Sequence, residues 1–384
     1  MDFQISEKQK MLVQGLRDVL TKEFPKDYFR KLLEKEEWPW EPMKKLGELG
    51  YVALGVPTEL GGLGGDTVDV TLCIEEANRI MGGPAMAYFT TVCFGARAIA
   101  LFGTDKQKEW LLEGLMAGTK YVGLSLTEPD GGTDMMAMKS RANADGKGNW
   151  VINGQKIFTT GAHVADYVIA VVRTNNFEKK GAKGITMFLV PTKAKGVTIE
   201  RIPLHIQEST GANHVYFDNV VVSEDHIFGE LDRGVYKLFG VLNDERIGAA
   251  ASALGLTQGA FDETLQYAKE RMAFGRPIGQ FQAVQHDLAE CWMKIQAARN
   301  LVYEAAWKQA NNIPAEMESS CAKYMASVIQ MEVTDKCMDI LGGYCATKEF
   351  FTPMAHATRF TFAPVVNNAV KNFIGEKLGL PKSY

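Results

Sequence analysis

The chain has no C-x-x-C pair, no long unbroken apolar run, no excess of basic charge and no low-complexity tract. Each absence removes a class of protein. Cys73, Cys93, Cys291, Cys321, Cys337 and Cys345 lie far apart, which fits reduced, mostly buried thiols in a cytosol-like compartment and argues against a zinc site. The six histidines add no ligand-like cluster, so no metal is expected. Apolar stretches such as Ile247 to Gly255 are short and rich in Ala and Gly, well under the ~20 residues of a spanning helix, so no membrane is expected. With 42 basic against 46 acidic side chains the net charge is −4, giving no whole-chain attraction for nucleic acid or an anionic surface. Met1 to Lys10 is polar and mixed in charge, unlike a secretory signal, and a cytoplasmic protein is expected.

What is present reads as an ordinary globular composition, 46% hydrophobic and 23% charged. A chain of 384 residues is long enough for two or three packed units. Residues 1–120 read as helical: Ser6 is a plausible N-cap, followed at helical spacing by Met11, Leu12, Leu16, Val19 and Leu20. The glycine-rich loop Glu59 to Asp66 has no strand before it and no Lys-Ser/Thr after it, so a structural turn is expected there rather than a phosphate cradle. Residues 121–229 change to a β period. Asn153-Gly154 between Trp150 and Phe158 predicts a hairpin, and Tyr167–Arg173, Gly184–Val190 and His214–Val222 add three strands, together suggesting a small β-barrel or sandwich. Residues 230–384 return to helix, where Val284, Leu288, Cys291, Ile295, Ala298, Val302 and Ala305 form a heptad-like seam that wants a partner.

Five motifs lie in order along this layout. They are Thr127-Glu128-Pro129-Asp130-Gly131-Gly132-Thr133-Asp134, Asn153 to Ala162, Tyr216 to Val222, Arg271-Met272-Ala273-Phe274-Gly275 with Gln282 beyond it, and Leu341-Gly342-Gly343. Together they resemble the acyl-CoA dehydrogenase family. The resemblance implies an α+β multidomain fold with an N-terminal helical domain, a middle β-barrel and a C-terminal four-helix bundle, assembled as a homotetramer or homodimer. It also implies FAD as cofactor, a CoA thioester as substrate and electron-transferring flavoprotein as partner. Leu126, Thr127, Gly132, Thr133, Phe158 and Thr160 would then meet the flavin. Arg271, Phe274, Gln282, Asp339 and Gly343 would meet its pyrophosphate and adenosine half, Arg271 and Phe274 across a subunit boundary. Thr133, Asn243 and Arg246 would meet the thioester arm. Taken singly, Arg271 reads as a solvated cation complementing a helix terminus and Phe158 as a core residue, and Thr127 and Thr160 carry no signal. Asp339 stands where the family usually has Gln, and Leu204 to Ser209 departs from the family's pattern.

The family's usual base, a late Glu, is missing. The region reads Phe360 to Val370 and places Val365, or in the next register Val366, at that point, with His356-Ala357 in place of the preceding R-D pair. A second placement within the family lies on the first long helix of the last region, where this chain carries Leu242-Asn243-Asp244-Glu245-Arg246-Ile247. The resemblance makes Glu245 the acid/base. Asp244 points about 100° away around the helix, and without the family Glu245 reads as a surface residue beside Arg246. Met1-Asp2-Phe3, Ile278 to Gln282 and Leu301 to Trp307 further resemble a subgroup of short enzymes similar to crotonobetainyl-CoA reductase, which also lack the late Glu. The expected function is oxidation of the α,β carbons of an acyl-CoA or the reverse reduction. The competing readings are elimination or monooxygenation on the same fold, or a non-catalytic subunit that binds a CoA ester.

Overall fold

The computed structural model describes residues 4–175, 181–205, 209–347 and 359–381, the side chains of 235–242 excepted. Ser6 opens α1 (Glu7–Glu23) with a reciprocal capping box, its hydroxyl accepting from Gln9 N while the Gln9 side chain accepts from Ser6 N. Leu16 and Leu20 are fully buried, whereas Met11 faces outward at 75% exposure. Helices α2 (Lys26–Lys35), α3 (Trp40–Glu48), α4 (Thr67–Met81), α5 (Met86–Thr90), α6 (Ala98–Phe102) and α7 (Asp105–Met116) follow, with a π-helical segment, Thr91–Arg97, joining α5 to α6. The stretch Gly83–Phe102 is apolar and long enough to cross a membrane by length and composition, against the expectation that apolar stretches would be short. It is almost wholly buried inside the protein, where an all-round apolar helix belongs.

The glycine-rich loop is structural. Gly61, Gly64 and Gly65 have positive φ, and a Cβ on Gly62 would strike the Val56 carbonyl oxygen at 2.1 Å. Asp66 then caps α4, accepting from Val68 N and Asp69 N.

The middle of the chain forms β1 (Val122–Ser125), β2 (Arg141–Ala144), β3 (Asn149–Thr160), β4 (Tyr167–Arg173), β5 (Ile185–Pro191), β6 (Val197–Arg201), β7 (Ala212–Ser223) and β8 (Ile227–Phe228). These make one eight-stranded sheet in the order β6-β7-β3-β2-β4-β5-β8, with β1 on β4. Trp150, Ile152, Val168, Ala170, Phe188, Val215 and Val220 fill its core. The hairpin expected at Asn153-Gly154 does not form. β3 runs straight through, and the extra residue at this point belongs to β7, which bulges at Asp218–Asn219 opposite Asn153. The cause lies across the sheet: Asn153 Oδ1 accepts from Asn219 N at 2.9 Å, and Ser140 crowds Gly154 so closely that a Cβ would approach its Oγ to 2.3 Å. With partners on both sides, β3 gains more from extended pairing than from turning.

The last part is helical, with α8 (Gly234–Glu270), α9 (Gln282–Ala310), α10 (Glu316–Leu341) and α11 (Asn367–Lys377), and a short hairpin of β9 (Met272–Ala273) and β10 (Arg276–Pro277) after α8. The expected seam is real: Leu288, Cys291, Ile295, Ala298, Val302 and Ala305 are buried. Helical N- and C-terminal parts thus flank a middle β region, as the sequence suggests. The chain nevertheless packs as two compact units that do not follow it in order. Residues 1–33, 66–89 and 245–384 form one, and 34–65 and 90–244 form the other. In the first unit, α4 joins α9 through a buried network in which Glu75 accepts from Arg299 Nη2 at 2.7 Å and from Tyr303 Oη at 2.6 Å.

Candidate active site

The expected site residues divide between the two units. In the β-containing unit, β1 ends at Ser125 and hands the chain to Leu126, Thr127 and Glu128. Glu128, 6% exposed, accepts from Lys139 N at 2.6 Å, Ser140 N at 3.0 Å and Lys156 Nζ at 2.8 Å. Lys156 is fully buried and donates also to the Leu126 carbonyl at 3.0 Å, while Ile157 N donates to the Thr127 carbonyl at 2.9 Å. Burial alone would push the Glu128 carboxyl up, but the Lys156 charge and these hydrogen bonds outweigh it and hold it below the ordinary value. Burial pushes the Lys156 ammonium down to about 8 against the pull of Glu128. The pair therefore fixes the main chain of Leu126 and Thr127. Both residues stand inside the sequence motifs, but nothing in their spacing gave them this role. The available signal was a lysine on a strand whose preceding inward positions, Trp150 and Ile152, are apolar.

Beside this loop the same unit presents an open surface. Gly132 and Thr133 are exposed, and a Cβ on Gly132 would meet nothing within 4 Å. Phe158 is 58% exposed and held at φ +60°, so it is not the core residue it reads as when taken singly. A non-glycine residue in the left-handed region with its ring in solvent is costly unless something covers it. Thr160 is half-buried, its carbonyl accepting from Tyr121 Oη at 3.1 Å. Nearby on the chain that pairs with β3, the hydroxyls of Ser209 and Thr210 and His214 Nδ1 are buried without a hydrogen-bond partner among the described residues. An uncovered aromatic face on an otherwise open surface suits a flat ring such as a flavin.

In the helical unit, Arg271 follows α8 and lies 5.5 Å from the centroid of the Tyr344 ring. Tyr267, Arg271, Leu341, Gly343, Tyr344 and Thr347 line a recess of about 400 Å³. Gly342 and Gly343 are open on their Cβ sides, which leaves backbone accessible to a ligand. Phe274 tips the β9–β10 hairpin with 95% of its surface exposed, and Gln282 opens α9, also exposed. Asp339 is exposed, but Lys336 Nζ lies 3.6 Å from it and screens the charge in part. An arginine, open glycine backbone and an aromatic ring fit a pyrophosphate and an adenosine.

Glu245 stands on α8. Burial pushes its carboxyl up to about 8, with the charges of Arg246 and Lys323 pulling the other way. Arg246 is held below its ordinary value by burial, and its guanidinium lies 6.0 Å from the Phe373 ring centroid. Glu245 is thus not the solvated surface carboxylate of the simplest reading. Asn243 is half-buried, and Asp244 is engaged elsewhere, 3.3 Å from Arg97 Nη1. Val365 lies in the turn before α11 and offers only its carbonyl, to Lys323 Nζ. Lys323, 1% exposed, was not foreseen from the sequence. His356, Ala357, Glu349 and the stretch 206–208 lie outside the described residues. The structure gathers Leu126, Thr127, Gly132, Thr133, Phe158 and Thr160 in one unit with Asn243. It gathers Glu245, Arg246, Arg271, Phe274, Gln282, Asp339 and Gly343 in the other. Among the described residues no cluster of three or more His, Cys, Asp or Glu could hold a metal ion.

The chain matches known proteins along nearly its whole length. Residues 6–119 match the acyl-CoA dehydrogenase N-terminal domain, 123–220 the middle domain and 232–361 the C-terminal domain. The chain is 34% identical over 352 residues to a probable acyl-CoA dehydrogenase of Bacillus subtilis, covering 91% of this chain and 92% of that one. It is 33% identical over 347 residues to the CarC subunit of the caffeyl-CoA reductase–Etf complex of Acetobacterium woodii, covering 90% of each. The solved butyryl-CoA dehydrogenase of Megasphaera elsdenii matches with a TM-score of 0.91 at 30% identity, over 98% of this chain and all of that one (100%). With three consecutive domain matches and relatives along nearly its whole length, the chain belongs to the acyl-CoA dehydrogenase family, whose members use FAD.

Proposed function

We propose that this protein is an FAD-dependent oxidoreductase acting on the α,β carbons of an acyl-CoA thioester, with Glu245 handling the α proton. The observation that carries the reading is the half-buried Glu245 carboxyl on α8, pushed up to about 8 by burial against the opposing charges of Arg246 and Lys323. A group balanced near neutral pH can accept a proton in dehydrogenation and donate one in the reverse reduction. Bound FAD supplies the hydride acceptor or donor at the β carbon. The residues that hold it are Leu126, Thr127, Gly132, Thr133, Phe158 and Thr160 on the flavin side. Arg271, Phe274, Gln282, Asp339 and Gly343 hold the pyrophosphate and adenosine side. Thr133, Asn243 and Arg246 orient the thioester arm, and the Glu128–Lys156 pair keeps the Thr127 loop in place.

Phe274 at 95% exposure supports assembly as a homodimer or homotetramer in which the hairpin tip is covered by a neighbouring copy. Electron-transferring flavoprotein is the proposed electron partner and the cytoplasm the proposed location. The domain limits we propose are 1–120, 121–229 and 230–384. Val365 at the usual place of the base favours a second reading, elimination or monooxygenation on this fold or a non-catalytic CoA-ester-binding subunit. One experiment separates the two readings: anaerobic titration of the yellow holoenzyme with a panel of saturated acyl-CoA thioesters, and of the dithionite-reduced holoenzyme with unsaturated ones. Bleaching in the first arm or recovery of the yellow colour in the second supports the oxidoreductase. Flavin that responds in neither arm supports the alternative.

A further inference from the structure

Lys323 lies on α10 with 1% of its surface exposed. Its ammonium donates to the Val365 carbonyl and to Asn367 Oδ1 at 2.9 Å. Asn367, the first residue of α11, donates in turn from Nδ2 to Ser327 Oγ at 3.0 Å, so one turn of α10 is tied to the 365–367 turn. Two neutral oxygens satisfy hydrogen bonds but bring no counter-charge, and a buried ammonium without one is expensive. The carboxylate that acts on Lys323 is Glu245, from α8, with Arg246 opposing it. The other charged groups nearby are engaged in other ways. Glu316, at the start of α10, acts on Arg246; Asp244 faces Arg97; and Lys371 of α11 lies 5.1 Å from the Tyr324 ring centroid.

We propose that Lys323 is a positioning residue for Glu245, clamped between the Val365 carbonyl and Asn367 so that its buried ammonium is held within electrostatic reach of that carboxyl. The turn that carries Val365 in place of an acid is thus built around a lysine that acts on the acid supplied by α8. The proposal rests on Glu245 as the proton-handling group. Burial drives Glu245 up and Lys323 down, and each opposes the shift of the other, so the two titrate as a coupled pair. Loss of the lysine charge therefore raises the proton affinity of Glu245 further.

The test is the pH dependence of kcat/KM and of α-proton exchange in deuterium oxide. It uses the FAD-loaded enzyme with butyryl-CoA, or with the panel member that gives the largest flavin response. Lys323→Met and Lys323→Gln should move the limb belonging to Glu245 to higher pH by about one unit, a tenfold change in its ionisation constant, with FAD content retained. Lys323→Arg should leave that limb in place. If Lys323→Met is not recovered folded, Lys323→Gln carries the test alone, since it removes the charge while keeping a polar N–H at that position. A uniform loss of rate with the limb unmoved in Lys323→Gln would overturn the proposal and leave Lys323 a structural tie. Persistence of the same limb in Glu245→Gln would instead overturn the assignment of Glu245, a result that no Lys323 variant can imitate.

Discussion

Removing one partner of the Glu128–Lys156 pair should damage the protein out of proportion to the change in size. The carboxylate is 6% exposed and the ammonium is fully buried, so solvent screening does not discount the interaction. In Glu128→Gln the Lys156 ammonium keeps its bond to the Leu126 carbonyl but loses its carboxylate partner, 2.8 Å away. The new amide also turns one donor toward Lys139 N or Ser140 N, which are themselves donors. Breaking a buried pair from one side costs about 3–5 kcal/mol, because an uncompensated charge stays behind. Lys156→Met should cost a similar amount for the mirror reason. The double variant should lose clearly less than the sum, since no lone charge remains. The deficit of Glu128→Gln should also depend on pH. Lys156 already titrates below its ordinary value, at about 8, and loss of Glu128 lowers it further, so the penalty shrinks as pH rises through that range. Thermal unfolding of the holoenzyme and its two single and one double variants, at pH 7 and pH 9, reads all of these. FAD retention should fall in both single variants, because the Leu126–Thr127 main chain loses its anchor. Additive losses of under about 1 kcal/mol each with FAD held normally would refute the reasoning.

Glu245→Gln should lower turnover and α-proton exchange by ~10²–10⁴-fold while FAD and CoA-ester binding persist. Glu376→Gln on α11 serves as the control, and equal retention in both would mean that another group moves the proton. The same substitution makes a stability prediction. The folded value of Glu245 is raised from 4.5 to about 8, so its favourable contribution is complete below the lower value and is lost as pH rises through the upper one. Parental enzyme should therefore lose melting temperature relative to Glu245→Gln between about pH 5 and pH 8, and parallel curves would contradict the burial. Arg271→Ala should release FAD on gel filtration with its circular dichroism unchanged, and a variant that holds FAD as tightly as the parent would contradict a pyrophosphate contact there.

Much of this protein was legible in one dimension because its signals are local. The Ser6 cap, the apolar seam of α9 and strands such as Tyr167–Arg173 depend on residues a few positions apart, so period and capping chemistry place them directly. Motif order likewise pointed to the family, since each motif is a short contiguous string. Asn153-Gly154 shows the limit: the dipeptide favours a turn, but β7 and Ser140 on either side hold it extended within β3. Phe158 is the same lesson for burial, because a strand position cannot tell whether its side chain faces the core or a ligand surface. Charge partnerships were beyond the sequence altogether. Glu75 meets Arg299 across 224 positions, Glu128 meets Lys156 across 28, and Lys323 reaches the 365–367 turn across more than 40. Sequence determined which segments are helical, which are strands, and which carry the family's motifs. Tertiary structure alone decided that residues 1–33 and 66–89 pack with 245–384, and that burial pushes Glu245 up against the opposing charges of Arg246 and Lys323. The reason is physical: secondary structure follows short-range periodicity, whereas the energy of a buried charge is set by which distant groups are brought against it.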